Sequence, residues 1–257
     1  MEKQYHLQIS DGDAGEYVLL TGDPGRVSEI ARHFDNAEKI AQNREYITYT
    51  GYLDGVKVSA VSTGIGGPSA AIAVEELVKC GAHTFIRIGT CGGMSLDVCG
   101  GDLVIATGAT REGTDREYLP DGYPCVSDFF VTCALEKAAS ALRKEHIIPN
   151  YHVGVVHCKD SFYGQHDPDS MPISDELNSR WKALIKSGCL ASEMECSTIF
   201  AIGAARKVRT GGILSVVWNK DRERQGLDSH VSHSTETVIM CATDALRLII
   251  KREFPQN

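Results

Sequence analysis

An arginine inside an apolar strand is the feature that most restricts how this chain can fold. The segment Thr84–Gly93 (TFIRIGTCGG) places Arg87 between apolar residues that predict a buried strand. Because Arg87 keeps its charge there, it needs an anionic partner. The hydroxyl of Thr90 and the glycines, which let backbone N–H groups approach a ligand, suit a phosphate-like anion at a strand end. From this segment alone, a structural pair between Arg87 and a buried carboxylate is an equally good interpretation.

A second strand-end loop favours the anion. Tyr17–Leu20 predicts a short strand, and the sequence TGDPGR follows it directly. Asp23 is a good N-cap and Pro24 a good first residue for the helix predicted next, whose first turn holds Arg26. Gly22 leaves its N–H accessible, and a helix N-terminus that carries an arginine makes an anion site. Two loops of this kind in one chain are stronger evidence than either alone.

The composition is that of one globular domain, and it sets limits on the partners. The 257 residues contain no linker, repeat or low-complexity tract, so we predict a single domain over residues 1–257. A net charge of -8 argues against nucleic acid as a partner. The nine cysteines lack C-x-x-C spacing, which favours reduced thiols over a metal or disulfide framework. No apolar run is long enough to span a membrane, and the first residues lack a leader pattern, so we expect a cytoplasmic protein.

Strand and helix patterns alternate along the chain. The predicted strands are Tyr17–Leu20, Tyr46–Thr50, Val56–Ser62, Thr84–Gly89, Asp102–Ala106, His152–His157 and Gly212–Trp218. The predicted helices are Pro24–His33, Pro68–Lys79, Phe129–Lys144, Asp175–Lys186, Met194–Lys207 and Ser229–Arg252. This alternation predicts an α/β protein with a largely parallel central sheet, in which ligands collect at the carboxyl ends of the strands.

A glycine-rich turn at Ser62–Ser69 (STGIGGPS) also follows a strand and opens a helix. It has some likeness to a dinucleotide-binding fingerprint, but Ser69 replaces the third glycine and Pro68 occupies the turn. We therefore favour a tight strand-to-helix turn over a dinucleotide site.

Six motifs between residues 22 and 195 resemble those of the nucleoside phosphorylase superfamily, above all its uridine-cleaving branch. They are Gly22–Arg26, Arg44–Glu45, Ser62–Ser69, Arg87–Thr90, Asp160–Gln165 and Glu193–Glu195. The resemblance implies that inorganic phosphate attacks the anomeric carbon of a ribonucleoside, giving free base and ribose 1-phosphate. It also implies a three-layer α/β sandwich, whose mixed central sheet is partly barrel-like and flanked by helices. Family members assemble as dimers, commonly three to a hexamer, with sites shared across the dimer interface.

The resemblance assigns residues to the phosphate and to the ribose. Phosphate would be bound by Gly22, Arg26, Arg87 and Thr90, together with Arg44 of the partner subunit. The ribose would be bound by Met194 and Glu195, together with His6 of the partner subunit. The expected catalytic residues are Arg26, Arg87 and Glu195. These residue types suit the chemistry, because positive charge develops on the ribose and negative charge on the departing base.

Base recognition falls, by the same resemblance, to Phe162 and Gln165. An aromatic face stacks on a planar base, and a carboxamide pairs with a uracil edge. The chain lacks the arginine that the family places two residues after this glutamine. Lys220 is the first candidate to contact uracil O4 in its place, and Arg222, Arg224 or a water are the others.

The position after the last predicted strand bears on the choice of base. Purine-cleaving relatives carry an aspartate there, whereas this chain has Asn219, which favours a pyrimidine. A register shift to Asp221 would reopen a purine nucleoside phosphorylase as the alternative. A non-catalytic nucleoside- or phosphate-binding protein on the same fold is a second alternative. A hydrolytic relative is disfavoured, because Arg26 and Arg87 would have no anion to hold.

The resemblance also addresses cofactors. No organic cofactor is expected, and inorganic phosphate is a co-substrate. Glu45, Ile65 and Ser69 match positions that bind a monovalent cation, such as potassium, at the dimer interface of some relatives. A carboxylate, a carbonyl and a hydroxyl are suitable oxygen ligands for such an ion.

Overall fold

One mixed sheet runs through the protein, and helices pack on both of its faces. The computed structural model describes residues 2–255. Successive side chains of a strand point to opposite faces, and the first strand obeys this rule. Val18 and Leu20 belong to one core cluster, whereas Tyr17 and Leu19 belong to another on the opposite face. An apolar run without polar alternation therefore marks a strand covered on both sides.

The described residues contain ten strands in a single sheet. They are β1 (Tyr17–Thr21), β2 (Asp35–Asn43), β3 (Tyr46–Leu53), β4 (Val56–Ser62), β5 (Thr84–Gly93), β6 (Leu103–Ala109), β7 (Cys125–Val126), β8 (Tyr151–Cys158), β9 (Ala191–Glu193) and β10 (Arg209–Trp218).

The α-helices of the same residues are α1 (Val27–Ala31), α2 (Gly67–Lys79), α3 (Phe129–Lys144), α4 (Phe162–His166), α5 (Ser174–Lys186), α6 (Cys196–Arg206), α7 (Lys220–Arg224) and α8 (Glu236–Glu253). Short 3-10 turns lie at Pro24–Arg26, Thr114–Glu117 and Pro168–Ser170. Within residues 2–255, no helix has the length and apolar character needed to cross a lipid bilayer.

The sheet is partly a barrel. The pairings β5–β10, β10–β6, β6–β8, β8–β9 and β9–β5 close a ring of five strands. From β5 the sheet continues outwards through β1, β4, β3 and β2. Parallel and antiparallel pairs occur in both parts. The predicted fold class, a mixed and partly barrel-like sheet flanked by helices, is confirmed.

Strand β5 creates the opening in which the candidate site lies. Along one edge it pairs with β10 from Thr84 to Gly92. Along the other edge it pairs with β1 as far as Ile88 and with β9 from Gly92 onwards. Among the residues described, no strand pairs with Gly89–Cys91 on that second edge. The backbone of this stretch therefore borders the space between the end of β1 and the end of β9.

Two predicted helix starts were wrong. The helix predicted over Ser229–Arg252 begins at Glu236, because the polar segment before it lies against the end of β10 instead. Ser232 N–H donates to the Val217 carbonyl at 2.9 Å. The helix predicted over Met194–Lys207 begins at Cys196, because β9 ends at Glu193 and a bend at Met194 and Glu195 follows it. A strand of three residues is too short for a periodicity argument to find.

Three strands were missed altogether, and two of them, β7 and β9, have only two and three residues. The third, β2 (Asp35–Asn43), is the outermost strand of the open part of the sheet, and most of its side chains are exposed. Its sequence, DNAEKIAQN, lacks the alternation of a half-buried strand, because an edge strand of this kind buries little apolar surface.

The segment before β1 is fixed to α2 by one buried carboxylate. Glu76 accepts hydrogen bonds from the backbone N–H of His6, at 3.0 Å, and of Leu7, at 2.7 Å. Its other contact is with His6 Nδ1, at 2.7 Å. Since Glu76 supplies the acceptor for two backbone donors, we expect it to hold the whole segment in place.

We expect Glu76→Ala to lower the free energy of unfolding by about 2–3 kcal/mol, because it leaves two backbone N–H groups unpaired. Urea unfolding measures the loss. The matched control is Glu75→Ala, which removes a half-exposed pair with Arg206 and a contact with Tyr118 and should cost less than about 1 kcal/mol. Equal losses in the two variants would contradict the anchoring role of Glu76.

Candidate active site

A large cavity opens at the unpaired edge of β5. Its volume is about 1020 Å³. The predicted phosphate and ribose residues that line it are Gly22, Arg26, Arg87, Thr90, Met194 and Glu195. The base residue Phe162 and the three cation residues Glu45, Ile65 and Ser69 line the same cavity. The fold therefore brings together residues from loops that lie far apart in the sequence.

Arg87 combines the two interpretations that the sequence left open. Its side chain is buried, at 4% exposure, and pairs with two carboxylates. Nε donates to Glu193 at 3.0 Å, and a terminal nitrogen contacts Glu195. Burial opposes its charge, but the two carboxylates outweigh that effect and raise the pKa of Arg87. Arg87 is thus a paired buried arginine that also forms part of the cavity wall.

Glu193 is a site residue to which the sequence analysis gave no role, although its motif was noted. Its carboxylate accepts from the backbone N–H of Glu195 at 2.9 Å and of Cys196 at 3.0 Å. Burial disfavours the charged form, but Arg87 and these N–H groups hold the pKa of Glu193 below its usual value. In the sequence, an acid at this position looks like the acidic residues that commonly precede a helix. Only its burial in the structure reveals its pairing with Arg87.

Glu195 is the carboxylate that faces the cavity. Its Oε1 accepts from the Gly66 N–H at 2.6 Å, so the glycine-rich turn before α2 serves the site directly. Gly66 has φ +88°, a left-handed conformation that favours glycine. Burial and the neighbouring charge of Glu193 raise the pKa of Glu195, against the opposing effect of Arg87.

The loop after β1 forms another part of the wall of the large cavity. The Asp23 side chain accepts from the Gly25 N–H at 2.8 Å, which confirms the predicted N-cap. Arg26 lies 3.8 Å from Asp23, a loose pair that leaves its guanidinium available. A side chain at Gly22 would crowd the Gly64 carbonyl, at 3.3 Å from an added Cβ. The glycine thus keeps this wall close to the turn before α2.

The predicted base residues divide between two cavities. Phe162 is half exposed on the wall of the large cavity, and its ring lies 4.3 Å from the His166 ring. Gln165 lines a second cavity of about 280 Å³. The two cavities share the wall residues Gly92, Lys159, His166 and Trp218. They are therefore adjacent compartments of one site.

Lys159 is a second residue that the sequence analysis missed. It is buried at the shared wall, and its Nζ donates to Ser192 Oγ at 3.0 Å. Burial lowers the pKa of Lys159, while the carboxylate of Glu193 acts in the opposite direction. The signal in the sequence was a cation just after a predicted strand, whereas Arg87 lies inside one.

Lys220, the candidate for the missing arginine, lies only on the wall of the smaller cavity. Its Nζ donates to the His166 carbonyl at 3.2 Å. Lys159, in contrast, lines both cavities, so the two lysines are not equivalent candidates for the base contact.

His6 and Arg44 line neither cavity of their own chain. They are near each other, because Asn43 Nδ2, next to Arg44 in the chain, donates to the His6 carbonyl at 2.7 Å. Arg44 is exposed and has a left-handed backbone, with φ +52°. Both residues therefore lie outside the walls of the two cavities.

Asn219 is turned into the protein, away from both cavities. It is fully buried, and its amide donates to the carbonyls of Ser95, at 2.8 Å, and Val98, at 2.9 Å. Its oxygen caps α7 by accepting from the Asp221 N–H at 3.1 Å. The residue at this position is therefore fixed by a structural role.

The predicted cation residues contribute adjacent oxygens. Ser69 Oγ donates to Glu45 at 2.8 Å. Hydrogen bonds from the Glu45 backbone N–H and from the Ser69 hydroxyl lower the pKa of Glu45. Among the described residues, no cluster of three or more His, Cys, Asp or Glu side chains forms a metal site.

Fold and cavity together define an α/β protein whose large cavity is lined by arginines and glycines beside a buried carboxylate. The family described as "Phosphorylase superfamily" matches residues 16–251. The chain therefore belongs to the phosphorylase superfamily, as the resemblance of its motifs predicted.

Named proteins from three organisms are similar to this chain over most of its length. A protein of Treponema pallidum named uridine phosphorylase is 50% identical over 98% of this chain and 96% of its own length. A Halorubrum lacusprofundi protein named guanosine phosphorylase is 42% identical over 85% of each chain. A Thermococcus kodakarensis protein named uridine phosphorylase is 41% identical over 84% of this chain and 78% of its own length.

We expect Asn219→Asp to produce no gain in purine nucleoside cleavage, because the side chain points away from both cavities. A carboxylate there would face two carbonyl oxygens and lower the free energy of unfolding by about 2–3 kcal/mol. Inosine assays and thermal unfolding measure the two effects. A variant that cleaves inosine faster than the wild type, at unchanged stability, would contradict the observed orientation of Asn219.

Proposed function

We propose that the protein catalyses the phosphorolysis of uridine to uracil and ribose 1-phosphate, a reaction of nucleoside salvage. The observation that carries the proposal is the single cavity lined by Arg26, Arg87, Thr90 and Glu195, which offers an anion subsite next to a carboxylate. The family membership and the names of the Treponema and Thermococcus relatives support the same reaction.

In the proposed mechanism, phosphate is both the nucleophile and the anion that stabilises a cationic ribose. Glu193 holds Nε of Arg87, which orients the guanidinium towards the cavity. Arg26, the Gly22 N–H and Thr90 complete the contacts from this chain. Glu195 accepts hydrogen bonds from the ribose hydroxyls. Groups positioned in advance in this way lower the barrier, because they do not reorganise during the reaction.

The base departs with negative charge. Phe162 stacks on its face, and Gln165 contacts its edge at the second cavity. The ammonium of Lys159 lies at the wall shared by the two cavities, where that charge develops. We therefore assign the donor role of the missing arginine to Lys159 in preference to Lys220.

The proposal includes a dimer-based homo-oligomer, with three dimers forming a hexamer. His6 and Arg44 lie near each other and outside their own cavities, so they are placed to act in the site of a second copy. Glu45, Ser69 and the Ile65 carbonyl would hold a monovalent cation, such as potassium, near that interface. The cation would supply positive charge beside the phosphate subsite, and no step is assigned to it.

A purine nucleoside phosphorylase is the second candidate, and the name of the Halorubrum relative favours it. Against it, Asn219 points away from the cavities, and Asp221 accepts from Trp181 Nε1 at 3.1 Å. Release of uracil from uridine, compared with release of hypoxanthine from inosine, separates the two. A cytoplasmic location is part of the proposal.

Uracil release from uridine should require phosphate. We expect Arg26→Ala to raise the KM for phosphate on the order of tenfold or more, because a charged hydrogen-bond donor is lost from the anion subsite. Its loose pair with Asp23 means that stability should change little. The control is Arg32→Ala, which removes an exposed arginine at the end of α1, the helix that follows Arg26. Equal turnover without phosphate would favour a hydrolase.

Two inactive variants should restore each other's activity. Arg44→Ala and Glu195→Gln damage opposite halves of a shared site, so mixed dimers contain one site with two intact halves. After confirmed subunit exchange at equal amounts, about half of the dimers are mixed and each has one intact site out of two. Uridine turnover should therefore recover up to about a quarter of wild-type activity. The control mixes Glu195→Gln with Arg26→Ala, which damage the same half. No recovery in the first mixture would mean that each site is built from one chain.

A further inference from the structure

Three side chains form a hydrogen-bonded chain at the wall between the two cavities. Lys159 Nζ donates to Ser192 Oγ at 3.0 Å, and Ser192 Oγ donates to Gln165 Oε1 at 2.6 Å. Lys159 and Ser192 are both buried, so water does not compete freely for these bonds. Ser192 precedes Glu193 on β9 and received no role from the sequence or from the mechanism above.

The chain has a direction that the chemistry of its members fixes. A lysine ammonium only donates, so Ser192 Oγ must accept from Lys159. The hydroxyl donates its one proton to Gln165 Oε1. Gln165 therefore turns its carbonyl oxygen towards Ser192. The opposite amide orientation would take this acceptor away from the hydroxyl proton.

We propose that Ser192 is a positioning residue, which fixes the orientation in which the Gln165 amide faces the base. This inference rests on the proposed function, since it concerns the base subsite of the same reaction. It also names the feature of the base that is recognised. With one lone pair of Gln165 Oε1 held by Ser192, the amide offers the base its amino group as a donor and the second lone pair of Oε1 as an acceptor.

Such an edge fits uracil and disfavours cytosine. Uracil offers a carbonyl oxygen, which takes up negative charge as the base departs, beside an N–H at N3. Cytosine has no hydrogen on N3, so the Gln165 oxygen would face a second acceptor. A site that leaves buried polar groups unpaired rejects such a base strongly.

The test is a double-mutant cycle on Ser192 and Gln165. Ser192→Ala should lower kcat/KM for uridine on the order of tenfold or more, while the KM for phosphate changes less than about twofold. In a Gln165→Leu background, the same Ser192→Ala change should have less than about a twofold effect, because the proposed role of Ser192 lies in orienting Gln165 and not in its contact with Lys159. Binding of uracil and cytosine, measured by calorimetry, should become more nearly equal in Ser192→Ala.

The matched control is Ser197→Ala, which deletes another buried serine hydroxyl, one that contacts Asp115 at 3.2 Å. It should leave the preference of uracil over cytosine unchanged, even if it lowers the melting temperature. This comparison separates positioning of the base from general loss of packing.

Each result decides the proposal. An unchanged preference for uracil in Ser192→Ala, or an equal loss of kcat/KM in both backgrounds, would overturn the role of Ser192. A wild-type protein that binds uracil but does not cleave uridine would overturn the proposed function. In that case the calorimetric comparison still tests the orientation of Gln165.

Discussion

The burial of Arg87 between two carboxylates is the interaction on which the site depends. A guanidinium without a partner would be too costly at this depth, and removing either acid would leave the remaining charges poorly compensated. Both acids come from the three residues Glu193–Glu195, at the junction of β9 and α6. Through Gly66, the same cluster reaches the turn before α2. One group of charges thus connects β5, β9, α6 and α2.

The charge balance of this cluster explains why one arginine is insufficient. Two carboxylates face a single guanidinium, so the cluster of Arg87, Glu193 and Glu195 is negative when both acids are ionised. A phosphate that approaches it needs further positive groups, and Arg26 supplies one from the loop after β1. This balance gives a physical reason for a contribution from a second copy of the chain, such as Arg44.

The sequence predicted the fold class and ten of the residues that line the large cavity. Buried charge and strand-end glycines are local signals, and they indicated Gly22, Arg26, Arg87 and Thr90. The other six followed from the resemblance to the family. The sequence was less informative wherever tertiary contacts decide the outcome. Ser192 and Lys159 are ordinary polar residues until the strands bring them beside Gln165. The polar segment before α8 has no periodicity of its own, and its path depends on the end of β10. The strand β2 escaped notice because an exposed edge strand buries too little apolar surface to leave a pattern.

Strand β5 pairs with three strands, β1, β9 and β10. It belongs both to the closed ring and to the open extension of the sheet, so the cavity lies on a seam between the two. Local opening at the seam would break pairings in both parts, which couples the order of the site to cooperative unfolding. Occupancy of the cavity by phosphate or a nucleoside should then raise the melting temperature of the entire chain by mass action. The fold thereby makes thermal unfolding a direct reporter of what the cavity accepts.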